Sequence, residues 1–204
     1  MDKLTWKRVW HFIWYEDSIW SWIANIVLSI ILIKYVLFPF LGFVLGTQFP
    51  IVAVVSTSME HDGSFDDWWS SSALCTNKIC TQEEYYSQFN ITKEQFNEFS
   101  FNDGFNKGDV MVLSSAKSAE LGDVIVFFAK DGRPIIHRMI AVDPIETKGD
   151  HNKAQITTNL DPAINEKNVD VNTIIGKASF RIPLIGYVKI MFASLLSLFG
   201  IRVA

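Results

Sequence analysis

The chain has 204 residues, 49% of them hydrophobic and 14% aromatic, and a formal net charge of −4. This is enough for one domain of ordinary size with an appendage, and enough apolar material for a core. Lys and Arg form no block, which speaks against a nucleic-acid partner because phosphate contacts need clustered cations. The aromatic residues gather in the first 40 positions and in 65–105, a concentration that points to membrane contact. Cys75 and Cys80 have no second pair to complete a zinc tetrahedron, so no metal or other cofactor is expected. Facing an oxidising exterior the two could form a disulfide, a pairing that spacing alone leaves open.

Residues 1–17 carry Lys3, Lys7 and Arg8, then Glu16 and Asp17. Trp6, Trp10 and Trp14 recur every four residues, the spacing of one helical face, and Trp favours the water–lipid boundary. An interfacial cytoplasmic helix is expected there. Residues 18–46 are almost wholly apolar, with Lys34 as the one charge. About 20 apolar residues cross a hydrocarbon layer of about 30 Å, so a single transmembrane anchor is expected over roughly 20–40. Lys34 lies near enough to the helix end for its ammonium to reach the interface, and Pro39 is expected to end or kink the helix. No short apolar region with a small-residue cleavage site is present, so the segment reads as a retained anchor. The basic residues precede it, which puts the N-terminus in the cytoplasm and everything after residue 46 outside the cell membrane, a single-pass topology.

Residues 47–182 read as an extracytoplasmic domain of mainly β class. Ile51–Val55 is an apolar run with the look of a buried strand, and residues 62–107 are an insertion rich in Ser, Asp, Asn, Gln and aromatics. Within it, Thr92 and Gln95 form a capping-box pattern before a short helix carrying Phe96 and Phe99, and Trp68 with Trp69 could meet either the membrane surface or the domain. Asn90-Ile91-Thr92 is an N-glycosylation sequon. Strands are then predicted over 110–113, 124–128, 134–142 and 174–182, with turns at Gly108-Asp109, Gly122-Asp123 and Asp131-Gly132. No βαβ spacing appears, which excludes a doubly wound parallel sheet. Residues 183–204 are again apolar and read as a C-terminal helix lying in or partly entering the membrane, with a second transmembrane helix as the alternative.

Ser56-Thr57-Ser58-Met59 places two serine hydroxyls, those of Ser56 and Ser58, at the end of the first strand. A serine attacks a carbonyl only when a base takes its proton. Of the four histidines, His11 precedes the anchor, His61 opens the polar insertion and His151 sits in a polar loop. His137 alone lies within an apolar strand, where an ionisable ring needs a partner or a purpose. Asp150 and Asp161 follow as acids that could orient it. The backbone N–H of Ser58 and the hydroxyl of Ser56 could face a developing oxyanion.

The motifs Ser56-Thr57-Ser58-Met59, Gly108-Asp109-Val110, Gly122-Asp123-Val124-Ile125-Val126, Ile136-His137-Arg138, Gly149-Asp150-His151-Asn152 and Ile175-Gly176-Lys177 stand in this order behind one N-terminal anchor. Together they resemble signal peptidase I, in the archaeal and endoplasmic-reticulum branch that uses histidine. The resemblance implies a β-rich, membrane-anchored serine endopeptidase that removes signal peptides from exported preproteins after small residues. Its partners would be signal peptides, the lipid bilayer and the protein translocation channel, with no nucleic acid. Ser58 would be the nucleophile, His137 the base, Ser56 an oxyanion donor, and Asp150 or Asp161 the acid behind the base. The chain departs from the pattern at Ile156, where the family's second aspartate would fall, so Asp161 is carried forward on the assumption of a longer loop. Thr57 stands where the family commonly has Gly, and Glu60-His61 where many members have Glu-Pro. A different class of function competes: a non-catalytic membrane-tethered β domain that binds secreted or surface partners through the aromatic insertion. The peptidase expectation carries a pH signature, since a histidine base must be neutral and cleavage should fall in acid.

Overall fold

The computed structural model describes residues 3–76, 78–187 and 191, in two compact units, Met1–Val44 and Leu45–Ala204. In the first unit, helix α1 (Lys3–Trp14) stacks Trp6, Trp10 and Trp14 along one face, with ring centroids 6.4 and 5.6 Å apart. Helix α2 (Ile19–Leu45) starts at Ser18, whose side chain caps the Ser21 N–H at 3.2 Å. Ser21 and Asn25 donate to the Phe12 and Ile13 carbonyls, two of the acceptors that a helix C-terminus leaves open. The 27 residues of α2 are long and apolar enough to cross a membrane, and its apolar side chains lie exposed. Pro39 does not end this helix. Ile33–Leu37, just before it, widens into a π turn, which absorbs the missing proline N–H without stopping the chain.

The second unit is built on a six-stranded antiparallel sheet, in the order β1-β4-β8-β5-β6-β7. Its strands are β1 (Ile51–Ala53), β4 (Val110–Ser114), β5 (Val124–Phe128), β6 (Pro134–Val142), β7 (Ile145–Lys148) and β8 (Ile174–Ile182). The β-branched runs supply the strands, and the Gly-Asp turns before β4 and β5 set where they begin. Alternation along β5 divides the core. Val124 and Val126 join Val54, Met59, Phe105, Met111, Leu113 and Ala178, whereas Ile125 and Phe127 join Met139 and Val169. Both faces are therefore covered, which explains why these strands read as continuous apolar runs. The sequence pattern misses β7, which has one apolar residue in four and is recruited by pairing with β6.

The insertion is ordered against the sheet. It contains helices α3 (Phe65–Trp69), α4 (Gln82–Ser87) and α5 (Lys93–Glu98), and a hairpin of β2 (Ser72–Cys75) and β3 (Lys78–Thr81) closed by a Cys75–Cys80 disulfide. Each helix has a capping box, that of α5 made by Thr92 and Gln95 as its sequence predicts. Trp68, Trp69, Tyr86, Ile91 and Phe96 are buried together with Ile140 of β6, so the aromatics form a second core and are not exposed to a membrane. The C-terminal helix expected over 183–204 lies outside the described residues beyond Tyr187, Met191 excepted.

Candidate active site

The turn after β1 is held on both sides of Ser58. The Ser58 carbonyl accepts from the His151 N–H at 2.9 Å, and the Met59 carbonyl accepts from the Phe105 N–H at 3.0 Å. Met59 is buried in the core, with its sulfur 3.4 Å from the Asp150 N–H. Ser58 itself is half-buried, so its hydroxyl stays reachable while its backbone is fixed. Thr57 has no positive φ, and the turn is closed by Glu60 N–H donating to the Thr57 carbonyl at 3.1 Å. The absence of glycine there costs the turn nothing.

His137 is paired with Ile125 in the middle of the β5–β6 ladder, a rigid mount for the ring. Its Nε2 lies 3.0 Å from Ser58 Oγ, and its Nδ1 lies 2.5 Å from Glu166 Oε1. Gly149 passes close behind: a Cβ on it would fall 2.7 Å from the Ser58 carbonyl oxygen and 2.8 Å from His137 Nε2. A side chain at 149 would push the two groups apart, so glycine is required by space.

The acid at His137 is thus Glu166, and neither Asp150 nor Asp161 takes that place. Glu166 is buried in an irregular segment that runs beside β7, with its N–H donating to the Ile156 carbonyl and its carbonyl accepting from Thr147 N–H, each at 2.9 Å. Its carboxylate accepts from Thr147 Oγ1 at 3.1 Å and from the Ile156 N–H at 2.5 Å, besides the His137 ring. Ile156, the position that breaks the family's pattern, therefore still serves the site through its backbone. Asp161 sits at the surface, 2.7 Å from Arg133 Nη2 at the β5–β6 turn. A single local signal for Glu166 existed, a lone acid between the apolar residues Ile164 and Val169, both buried.

Asp150 holds a neighbouring node. Arg138, the residue after His137, leaves the strand on the opposite face and spends all five N–H donors: Nε and Nη2 on the Asp150 carboxylate, Nη1 on the Ser100 and Gly122 carbonyls, and Nη2 again on the Phe101 carbonyl. Tyr86 donates to Asp150 Oδ1 at 3.2 Å, and His61 Nε2 lies 3.1 Å from Oδ2. Burial works against the Asp150 charge, but the Arg138 guanidinium and His61 outweigh it and hold the carboxyl well below the usual range. Lys148 is buried beside this node between the Tyr85 and Tyr86 rings, donating to Gln82 and to the Gly149 carbonyl, and burial lowers its pKa to about 8.

Ser56 Oγ lies 3.1 Å from Ser58 Oγ, exposed at the mouth of the site. His61 faces Asp150 and not Ser58, and His151 is a surface ring that serves through its backbone. The arrangement can move a proton from Ser58 to His137 with a carboxylate behind the ring, the requirement for acyl transfer by a serine. No protein-family model matches the chain, and no curated protein matches it either.

Proposed function

We propose that this chain is a membrane-anchored serine endopeptidase of the signal peptidase I kind, cleaving N-terminal signal peptides from exported preproteins after small residues. The observation that carries the proposal is the Ser58–His137–Glu166 triad, with contacts of 3.0 and 2.5 Å on the two nitrogens of one buried ring. His137 Nε2 takes the Ser58 proton as Oγ attacks the scissile carbonyl. Glu166 accepts the Nδ1 hydrogen and stabilises the imidazolium that forms. The Ser58 N–H and the Ser56 hydroxyl face the developing oxyanion. Collapse breaks the C–N bond, and the proton on His137 goes to the leaving amine. Water, activated by the same ring, then hydrolyses the Ser58 ester and restores the enzyme.

The 27-residue apolar helix supports anchoring, and the basic residues before it support a cytoplasmic N-terminus with the catalytic unit outside. A disulfide in the insertion fits an oxidising compartment. The competing partner-binding domain would need the insertion's aromatics as a contact surface, and Trp68, Trp69, Tyr86 and Phe96 are buried. The test is a cleavage assay with purified full-length protein in liposomes and a preprotein carrying a small residue before the expected cut. Cleavage by the wild type that is absent from Ser58→Ala supports the proposal, and equal processing by both refutes it.

A further inference from the structure

His61 sits inside the domain, stacked on Trp68 with ring centroids 3.8 Å apart and planes 4° from parallel. Its Nε2 meets Asp150 Oδ2 at 3.1 Å, while its Nδ1 is buried with no hydrogen-bond partner among the described residues. A buried ring nitrogen left unpaired is a cost, so this ring is kept for what the other nitrogen does. Gly104 is part of the same fit, since its φ of +68° and its close approach to the Met59 carbonyl and the His61 ring leave no room for a side chain. What Nε2 does is tie the segment that carries the nucleophile to the loop behind the base. Ser58 to His61 and Gly149 to His151 are joined three times: Ser58 O with His151 N, Met59 Sδ with Asp150 N, and His61 with the Asp150 carboxylate. The third tie reaches the same carboxylate that grips Arg138, which adjoins His137 on β6.

We propose that His61 is a positioning residue: through Asp150 it sets the separation of Ser58 Oγ and His137 Nε2, and the insertion, by supplying Trp68, is the wall that holds it there. The role rests on the peptidase assignment. It also gives the insertion a task, because Trp68 Nε1 donates to the Asp150 carbonyl at 3.0 Å and Arg138 reaches the Ser100 and Phe101 carbonyls, so the same node is clamped from the insertion's side. The ring contributes a donor and a stacking face, and the two separate by substitution. His61→Phe keeps the stack and removes the donor, whereas His61→Gln keeps a donor and removes the ring.

The experiment uses full-length protein in detergent and reads the rate at which a fluorophosphonate probe labels Ser58, together with kcat and KM for a signal-peptide substrate and the melting temperature. His61→Phe should lower the labelling rate and kcat by about tenfold to a hundredfold with KM nearly unchanged, the scale of a misplaced reacting pair. His61→Gln should recover most of that loss while melting at the same temperature as His61→Phe or below it. If His61→Phe does not fold, His61→Asn, too short to span to Asp150, carries the same expectation. Labelling of His61→Phe at the wild-type rate overturns the inference, as does a loss that follows melting temperature alone across the variants. A wild type that cleaves the signal-peptide substrate no faster than Ser58→Ala is a different outcome, which removes the peptidase assignment and this role with it.

Discussion

Glu166 Oε1 lies 2.5 Å from His137 Nδ1, although the two residues are 29 positions apart and no motif joins them. The carboxylate is fixed by Thr147 Oγ1 and the Ile156 N–H before it meets the ring. Glu166→Gln keeps the shape but allows the amide to donate where it should accept, which favours the wrong ring tautomer. Activity should fall by about 10²–10⁴-fold, the scale of losing the orienting acid. Asp161→Asn, which removes only a surface pair with Arg133, should leave kcat/KM unchanged. Parallel kinetics of the two variants check the assignment, and reversed effects would return the role to Asp161.

Asp150 is bound for structure and position. Removing one partner of a buried pair leaves the other charge uncompensated, so Asp150→Asn should destabilise the domain by about 3–5 kcal/mol. Chemical denaturation of the wild type and the variant measures it. A change below about 1 kcal/mol would mean that Arg138 finds other acceptors.

The same carboxylate predicts a pH dependence. Its pKa is held below that of the unfolded chain, so the folded state binds fewer protons than the unfolded state in acid. The stabilisation is fully present above about pH 5 and is lost as pH falls through about 4 towards the folded value. Asp150→Asn should therefore show a shallower decline of stability over that window. An identical slope in the two proteins would show that other carboxyls dominate acid unfolding.

The insertion behaves as part of the core. Trp68→Ala removes a buried ring that touches Tyr86, Phe96 and His61, and should cost about 3–5 kcal/mol. Thermal melts decide this, and a variant as stable as the wild type would make the insertion a detachable appendage.

Much of the second unit was legible because its strands are dense in Val, Ile and Phe and are punctuated by Gly-Asp turns, as in β4 and β5. Ser58 and His137 were legible for a related reason: each is a polar residue at the end of, or inside, an apolar run. Glu166 was not, since its position depends on backbone contacts to Ile156 and Thr147 that no local pattern encodes. Asp150 illustrates the converse. Its motif marked it as important, but adjacency in sequence does not give direction, and the carboxylate turned to Arg138. The β2–β3 hairpin was hidden because it is short, polar and closed by a disulfide whose pairing spacing could not settle.

Preprotein cleavage in liposomes by the wild type, Ser58→Ala and His137→Ala, with folding of each checked by thermal melting, tests the proposed Ser58–His137 chemistry most directly. Cleavage is expected from the wild type, with a loss of about 10³-fold or more in both folded variants. Processing by either variant at the wild-type rate would contradict it.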